Sequence, residues 1–569
     1  MKHPLLGIRG GCSCKKREKT MFMPFLFLLF QIPGGAWNTG ILVEEPNPSP
    51  GFGTDHASGS DVDLDGIPDI LVGDRVEVIN GNINQGAAYL FSGSTGNLIH
   101  RIEGELKSEL FGESMAMFND LNSDGIPDFA VGASGDFLTR PGRVSVFCGA
   151  SGNELYRLYG HGLRDKFGKN MSRVGDVNGD GFDDFIVGAH QATPYLNTEA
   201  GEVGVFSGLD GSLIYHYEGG NPYDSLGFQV GGLGDVNGDG IPDFGAMDLS
   251  SGSGGAVIVA SGSTGEILYR IEGTAHGEMF GSMLEEVGDT NMDGCSDFLV
   301  GAPWYPVGQE HPGAAYLISG MDGSVLHLLV GDSEINGFFG ESGTGIEDLD
   351  GDGLRDFAVG DTSADVNQIR NTGSVYFYSG RDGALIYQMT GEEGELMGKS
   401  ITTPPPGRTD LPWDVLIYTR PPDLPPGEPN PGAIGAFSFD PFLQISRNRI
   451  SASEGGAAVF QHDFPDSQAG FEYRLLMSTS ERGITTYNGL DLPLAPSWQL
   501  KEFAYGQPAG FTGRTGFLNT QGRAQTTLGL LPGTALPVVG YSFTFASVTL
   551  DPNGQPSLSS APVYLTIDP

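Results

Sequence analysis

Basic residues are scarce in this 569-residue chain: 30 Lys and Arg stand against 71 Asp and Glu, a formal net charge of −41. A surface of that sign repels phosphate backbones and anionic lipid, which argues against nucleic-acid and peripheral-membrane binding. Cysteine is scarcer still, four in all, so neither a disulfide-built fold nor a cysteine zinc module is available. No HExxH, GxxxxGK[ST] or GxSxG motif occurs, and the ten histidines are scattered, which removes the commonest metalloprotease, nucleotide-binding and hydrolase signatures. No apolar run reaches the ~20 residues of a spanning helix. Glycine is abundant at 90 residues, while 39% hydrophobic and 10% aromatic residues leave ample material for a core. The chain is expected to fold.

Six of the basic residues (Lys2, Arg9, Lys15, Lys16, Arg17, Lys19) precede an apolar run over 21–32, and Gly34-Gly35-Ala36 stands before Trp37. This reads as a signal peptide over 1–36, and places the protein outside the cell or on its surface, or in the periplasm of a Gram-negative-type cell. Cleavage leaves 24 bases against 70 acids, a charge of −46, and no integral membrane segment. Cys12 and Cys14 leave with the leader, and Cys148 and Cys295 lie in different repeats, so no disulfide is expected.

A nonapeptide pattern, D-x-[DN]-x-D-G-x-x-D, starts at Asp61, Asp120, Asp176, Asp235, Asp289 and Asp348, with spacings of 54 to 59 residues. Nine residues before each start stands an aromatic or leucine followed by glycine: Phe52-Gly53, Phe111-Gly112, Phe167-Gly168, Leu226-Gly227, Phe280-Gly281, Phe339-Gly340. A short apolar run follows each loop, and later an alternating strand runs into Ser-Gly-x-x-Gly, as at 92–96, 207–211 and 379–383. Each unit therefore holds four short strands, the content of a propeller blade. A seventh, worn unit has Met397-Gly398 and Asp414, but Pro406 and Arg408 at loop positions one and three. Residues 41–43 are expected to supply its fourth strand and close the ring, leaving no long open edge.

These residues resemble the FG-GAP repeat family, known from the seven-bladed β-propeller heads of integrin α subunits, over about 390 of the 569 residues. The resemblance implies an exported, all-β, seven-bladed propeller over 37–440. Over 441–569 the acidity vanishes, with ten acids and seven bases in 440–569, and alternating runs split by Gly and Pro predict a small β-sandwich.

A hard cation such as Ca²⁺ takes six to eight oxygens, and alternate residues of a tight loop with glycine at position six can aim theirs inward together. The expected side-chain ligands are Asp61, Asp63, Asp65, Asp69; Asp120, Asn122, Asp124, Asp128; and Asp176, Asn178, Asp180, Asp184. The later loops offer Asp235, Asn237, Asp239, Asp243; Asp289, Asn291, Asp293, Asp297; and Asp348, Asp350, Asp352, Asp356. Of these 24 groups 20 are carboxylates. An EF-hand needs an acid at position twelve, and here that position is valine or alanine in all six copies. About six structural Ca²⁺ sites are expected. Cys295, at position seven, would lend only its carbonyl.

In the family resembled, the calcium loops lie on the lower face and recognition uses the upper face. The segments joining strands two and three, 74–85, 134–141, 190–200, 248–253, 303–312, 362–372 and 420–431, differ in length and chemistry. Trp304, Tyr305, Tyr195, Phe137, Arg140 and Arg370 are the candidate contact residues, because aromatics and arginine dominate binding hot spots. The expected partner is an extracellular protein or glycan. Two alternatives remain: a secreted carbohydrate-active or phosphodiester-cleaving enzyme, and a scaffold with no ligand.

Overall fold

The computed structural model describes residues 51–441 apart from the loop segments 136–139, 195–198, 250–253, 309, 332–336, 351, 366–370, 392–393, 405–410, 412–413 and 420–431. Outside that span it describes Ser49 and a set of strands. Seven antiparallel sheets follow one another along the chain. Blade 1 is Phe52–Ser58, Ile70–Asp74, Ala87–Phe91 and Leu98–Glu103. Blades 2 to 6 repeat this order, from Ser114–Met117 in blade 2 to Leu385–Thr390 in blade 6.

The apolar run after each acidic loop becomes the second strand, buried along its whole length in every blade. A strand covered on both faces has no reason to alternate, which is why these runs read as continuous hydrophobics. Outer strands such as Leu98–Glu103 and Leu213–Glu218 are half-buried or exposed throughout.

Blade 7 is closed by the two ends of the propeller. Gly35–Glu44 pairs with Ala433–Pro441, placing Ile41, Leu42 and Val43 opposite Ala436, Gly435 and Ile434. The expected fourth strand is there, and it starts earlier than residues 41–43. Leu29–Ile32 adds a fifth strand on its outer side. Removal of residues 1–36 would leave Trp37–Glu44 as the closing strand. The worn loop's Pro406 and Arg408 lie outside the described residues.

Seven hydrophobic clusters sit between consecutive blades, one per interface. Val43, Phe52, Val72 and Tyr89 join Leu416, Tyr418 and Ile434 between blades 1 and 7. The other six link blades 1 and 2 through to 6 and 7. A ring in which every blade is covered on both faces has no terminal blade, so the apolar burial is cooperative around the circle.

The Phe-Gly pairs stitch these interfaces. Phe111 donates its N–H to Gln85 O of blade 1 at 3.2 Å, while Gly112 donates to Gly132 O of its own blade at 3.0 Å. The seven glycines have φ between +76° and +105°, a region costly for any side chain. The fit is tight on the opposing blade as well: a Cβ on Gly132 would stand 2.2 Å from Gly168 O. In blade 4 the equivalent position is Met247, whose side chain packs against Gly281 instead.

Past the propeller, Leu443–Ile445, Gly456–Asp463, Phe511–Thr512 and Arg523–Leu530 form one sheet. Arg449–Ser451, Glu472–Ser478, Thr515–Phe517, Ser542–Leu550, Pro556–Ser559 and Val563–Asp568 form another. The all-β expectation holds there at the level of strands. The face-to-face packing that defines a sandwich falls on side chains outside the described residues.

Candidate metal centres

Because strands alternate in direction, the acidic loop between strands one and two and the Ser-Gly turn between strands three and four emerge at the same end of each blade. Every acidic loop is built alike. Position four is left-handed where described (Leu64, Ser123, Gly179, Gly238 and Met292 at φ +58° to +75°), and so is the glycine at position six (φ +86° to +94°). These two turns aim the amides of positions five and six at the carboxylate of position one. In loop 1, Asp61 accepts from Asp65 N–H at 3.1 Å and from Gly66 N–H at 2.8 Å. The same pair of bonds recurs on Asp120, Asp176, Asp235, Asp289 and Asp348.

Position nine begins or immediately precedes the buried second strand, and its carboxylate is the loop's anchor. Asp69 Oδ2 accepts from Val62 and Asp63 N–H at 2.7 and 3.2 Å, and Oδ1 accepts from Gly93 N–H of the Ser-Gly turn at 3.0 Å. Asp128, Asp184, Asp243, Asp297 and Asp356 also join position two to that glycine, in their own blades.

The carboxylate of position five splits its oxygens. Asp65 Oδ1 accepts from Ile67 N–H, and Oδ2 accepts from Ser94 Oγ. The partners on the Ser-Gly turn are Cys148, Ser207, Ser263, Ser319 and Arg381 for Asp124, Asp180, Asp239, Asp293 and Asp352. Cys148 and Cys295 are both free, in line with the expectation of no disulfide.

Ligand oxygens of positions one, three and nine converge in two loops. Asp61, Asp63 and Asp69, and likewise Asp348, Asp350 and Asp356, each bring one oxygen within 4.8 Å of the others. An all-oxygen donor set of three carboxylates suits a hard divalent cation. In the four loops with asparagine at position three, the amide Nδ2 donates to the position-nine carboxylate at 3.2 to 3.4 Å. There a half-turn of the amide is needed to present oxygen to an ion. The donor chemistry therefore fits calcium as it stands in loops 1 and 6, and after that rotation in loops 2 to 5.

Burial of anchors beside other carboxylates leaves a charge problem. Burial pushes Asp69 up to about 7 and Asp128, Asp184 and Asp243 up to about 6. Asp297 and Asp356 are raised too, by burial first, and in Asp356 by Asp350, Asp348 and Asp352 next. Asp55, on the innermost strand of blade 1, is pushed by burial to about 7. Without calcium the folded protein therefore binds protons more tightly than the unfolded chain between about pH 4 and 7, and stability falls as pH rises through that window. His56 and His190, which burial holds at about 4 and about 3, act in the opposite sense below about pH 6.5, but they are outnumbered. In EDTA the melting temperature is expected to drop between about pH 5 and about pH 7.5, and saturating calcium, which favours ionised carboxylates, to flatten the slope. A melting temperature in EDTA that climbs with pH would contradict this.

On the opposite face, Trp304 is 46% exposed with its ring edge-on to Phe338 at 5.8 Å. Tyr305 is half-buried against the blade 4–5 core. Arg140 is exposed at a cavity of about 290 Å³ that Lys107, Arg143 and Arg157 also line. Tyr195, Phe137 and Arg370 lie outside the described residues.

A set of acids, Glu109, Asp165, Asp224 and Glu278, stands two residues before the Phe-Gly place, outside the nonapeptide pattern. Each accepts backbone N–H groups of the turn entering its blade, as Glu109 does from Glu105 and Leu106 at 2.6 and 3.0 Å. Their fixed offset from Phe-Gly was the available signal. They account for part of the acidity not used at the loops.

Fold and loops together define a seven-bladed β-propeller built of FG-GAP repeats. The FG-GAP repeat family matches residues 111–147 and 173–206, the cores of blades 2 and 3. Among curated proteins, integrin alpha-5 of Xenopus laevis is 30% identical over 222 residues, covering 36% of this chain and 20% of that protein. Integrin alpha-6 of Gallus gallus is 35% identical over 173 residues, covering 28% and 16%. The chain spans about a fifth of the length of these relatives and is a distant homologue of integrin α subunits. A solved quinohemoprotein alcohol dehydrogenase from Pseudomonas putida covers 65% of each chain at 10% identity and a TM-score of 0.38, a likeness too slight to bear on function.

Proposed function

We propose that the chain is an exported calcium-binding propeller that recognises an extracellular protein or glycan. Calcium rigidifies one face, at about six structural sites, and the ligand docks on the other. The observation that carries this reading is the contrast between the two faces. Six loops at one end share the same bonds down to single amides, whereas the opposite loops carry Trp304 and Arg140 without repetition. A uniform scaffold presenting divergent loops is the usual design of a binding platform. The similarity to integrin α subunits supports an extracellular setting. The segment 441–569 is read as a β-sandwich attached to the propeller.

The test is a glycan and matrix-protein array probed with residues 37–569, with calcium and with EDTA. Calcium-dependent retention without product release is the expected result, reduced several-fold by Trp304→Ala or Arg140→Ala. A blank array from folded protein, or turnover of an arrayed substrate, would overturn it.

A further inference from the structure

The fold gathers two of the scattered histidines. His161 lies on the connection from blade 2 to blade 3, His216 on the outer strand Leu213–Glu218, and Glu202 begins the third strand Glu202–Phe206. His161 Nδ1 is 3.4 Å from Glu202 Oε1, and His216 Nε2 is 2.9 Å from Glu202 Oε2. The two rings stand edge to face, 6.1 Å apart at 88°. One ligand atom from each of the three residues lies within 4.8 Å of the others.

We propose that His161, Glu202 and His216 form a site for a transition-metal ion of the Zn²⁺ class on the face opposite the acidic loops. Zinc bonds of about 2.0–2.1 Å in tetrahedral geometry set ligand atoms roughly 3.3 Å apart, and the two imidazole nitrogens already stand at 3.4 and 2.9 Å from the two oxygens of the one carboxylate between them. Two imidazoles and a carboxylate select a borderline metal over calcium, in contrast to the all-oxygen loops. His216 Nδ1 is 4.0 Å from Glu218 Oε1, which provides a carboxylate behind the ligating ring. Gly162 N–H is held by Asp165 Oδ2 at 2.9 Å, which fixes the turn that carries His161. Three protein ligands leave a fourth position facing a cavity of about 380 Å³, open to water.

Comparison among the blades shows what is special about this one. His216 lies opposite Gly204. The matching outer-strand residues are Arg101 opposite Tyr89, Arg157 opposite Ser145 and Arg270 opposite Ile258 in blades 1, 2 and 4, and Leu328 opposite Tyr316 and Gln388 opposite Tyr376 in blades 5 and 6. Those arginines are ion-paired, to Glu77, Glu105 and Asp248 among others. An arginine stays charged and cannot ligate a metal, whereas a neutral imidazole can. Blade 3 thus carries a metal donor where blades 1, 2 and 4 carry a permanent ion pair, and the neighbouring connection supplies a second donor.

The proposal is independent of whether the protein binds a glycan or protein. Its test uses the full chain in excess calcium, so that the acidic loops do not compete, with Zn²⁺ measured by calorimetry and Co²⁺ by its visible d–d absorption. One Zn²⁺ per chain is expected, weakened at least tenfold in His161→Ala and in His216→Ala and unchanged in His311→Ala. The His161 side chain is 76% exposed, so its replacement leaves the fold in place, to be checked by an unchanged melting curve. Retention of the same Zn²⁺ stoichiometry and affinity by both variants would overturn the site, as would no zinc uptake by the wild-type chain. In the latter case the three residues are a hydrogen-bonded group only.

Discussion

In excess EDTA the protein is expected to melt on the order of 10 °C below its melting temperature in millimolar calcium. An ion that binds only the folded state stabilises it by about 2.7 kcal/mol per site at one hundred times its dissociation constant. Loops 1 and 6 each bring three carboxylate oxygens within 4.8 Å of one another, the arrangement closest to an ion site. Two such sites supply about 5 kcal/mol, and 1 kcal/mol moves the melting point by about 2–4 °C in domains of 150–250 residues. The four asparagine loops add to the shift once their amides turn. Magnesium, which keeps its waters and wants a small rigid octahedron, should restore much less of the lost stability. Coincident melting curves with calcium and with EDTA would remove calcium from the account of this fold.

Replacing the anchor of loop 1, Asp69→Ala, should destabilise the protein by roughly 3–6 kcal/mol even without calcium. The side chain is fully buried and takes N–H bonds from Val62, Asp63 and Gly93. Each amide left buried without an acceptor costs about 1–3 kcal/mol, and the alanine offers none of them a partner. Asp63→Ala is the control. Asp63 shares the carboxylate cluster, and its carboxylate accepts from the exposed Asp65 N–H at 3.2 Å, so its loss should matter mainly when calcium is present. Urea midpoints measured in EDTA separate the two roles. An Asp69→Ala midpoint close to wild type there would show that position nine serves the ion and not the backbone.

Much of this molecule was legible because its signals are local and repeated. The spacing of Phe-Gly, acidic loop and apolar run marked seven blades. Ring closure by residues 41–43 was also legible, since an outer strand was missing in the last unit and one was left over at the start. The division of labour inside the loops was not. All four side-chain positions looked alike as ligands, yet position nine braces the backbone and position five is tied to a turn 24 to 29 residues further on. Nothing in a nonapeptide records a partner at that distance.

The histidines make the same point more sharply. His161 and His216 are 55 residues apart in sequence, and no spacing rule joins them. They meet because a connection between blades and the outer strand of the next blade end at the same rim.

The sequence by itself determined the blade count and the residues available to a cation, because turn chemistry and strand periodicity act over a few residues, while the face that carries the acidic loops was implied by the resemblance to FG-GAP propellers. Only the tertiary structure decided which carboxylates converge, which of them also cap amides and which histidines become neighbours. Those choices depend on how antiparallel strands and adjacent blades align their ends, a distance in space that the order of residues does not encode.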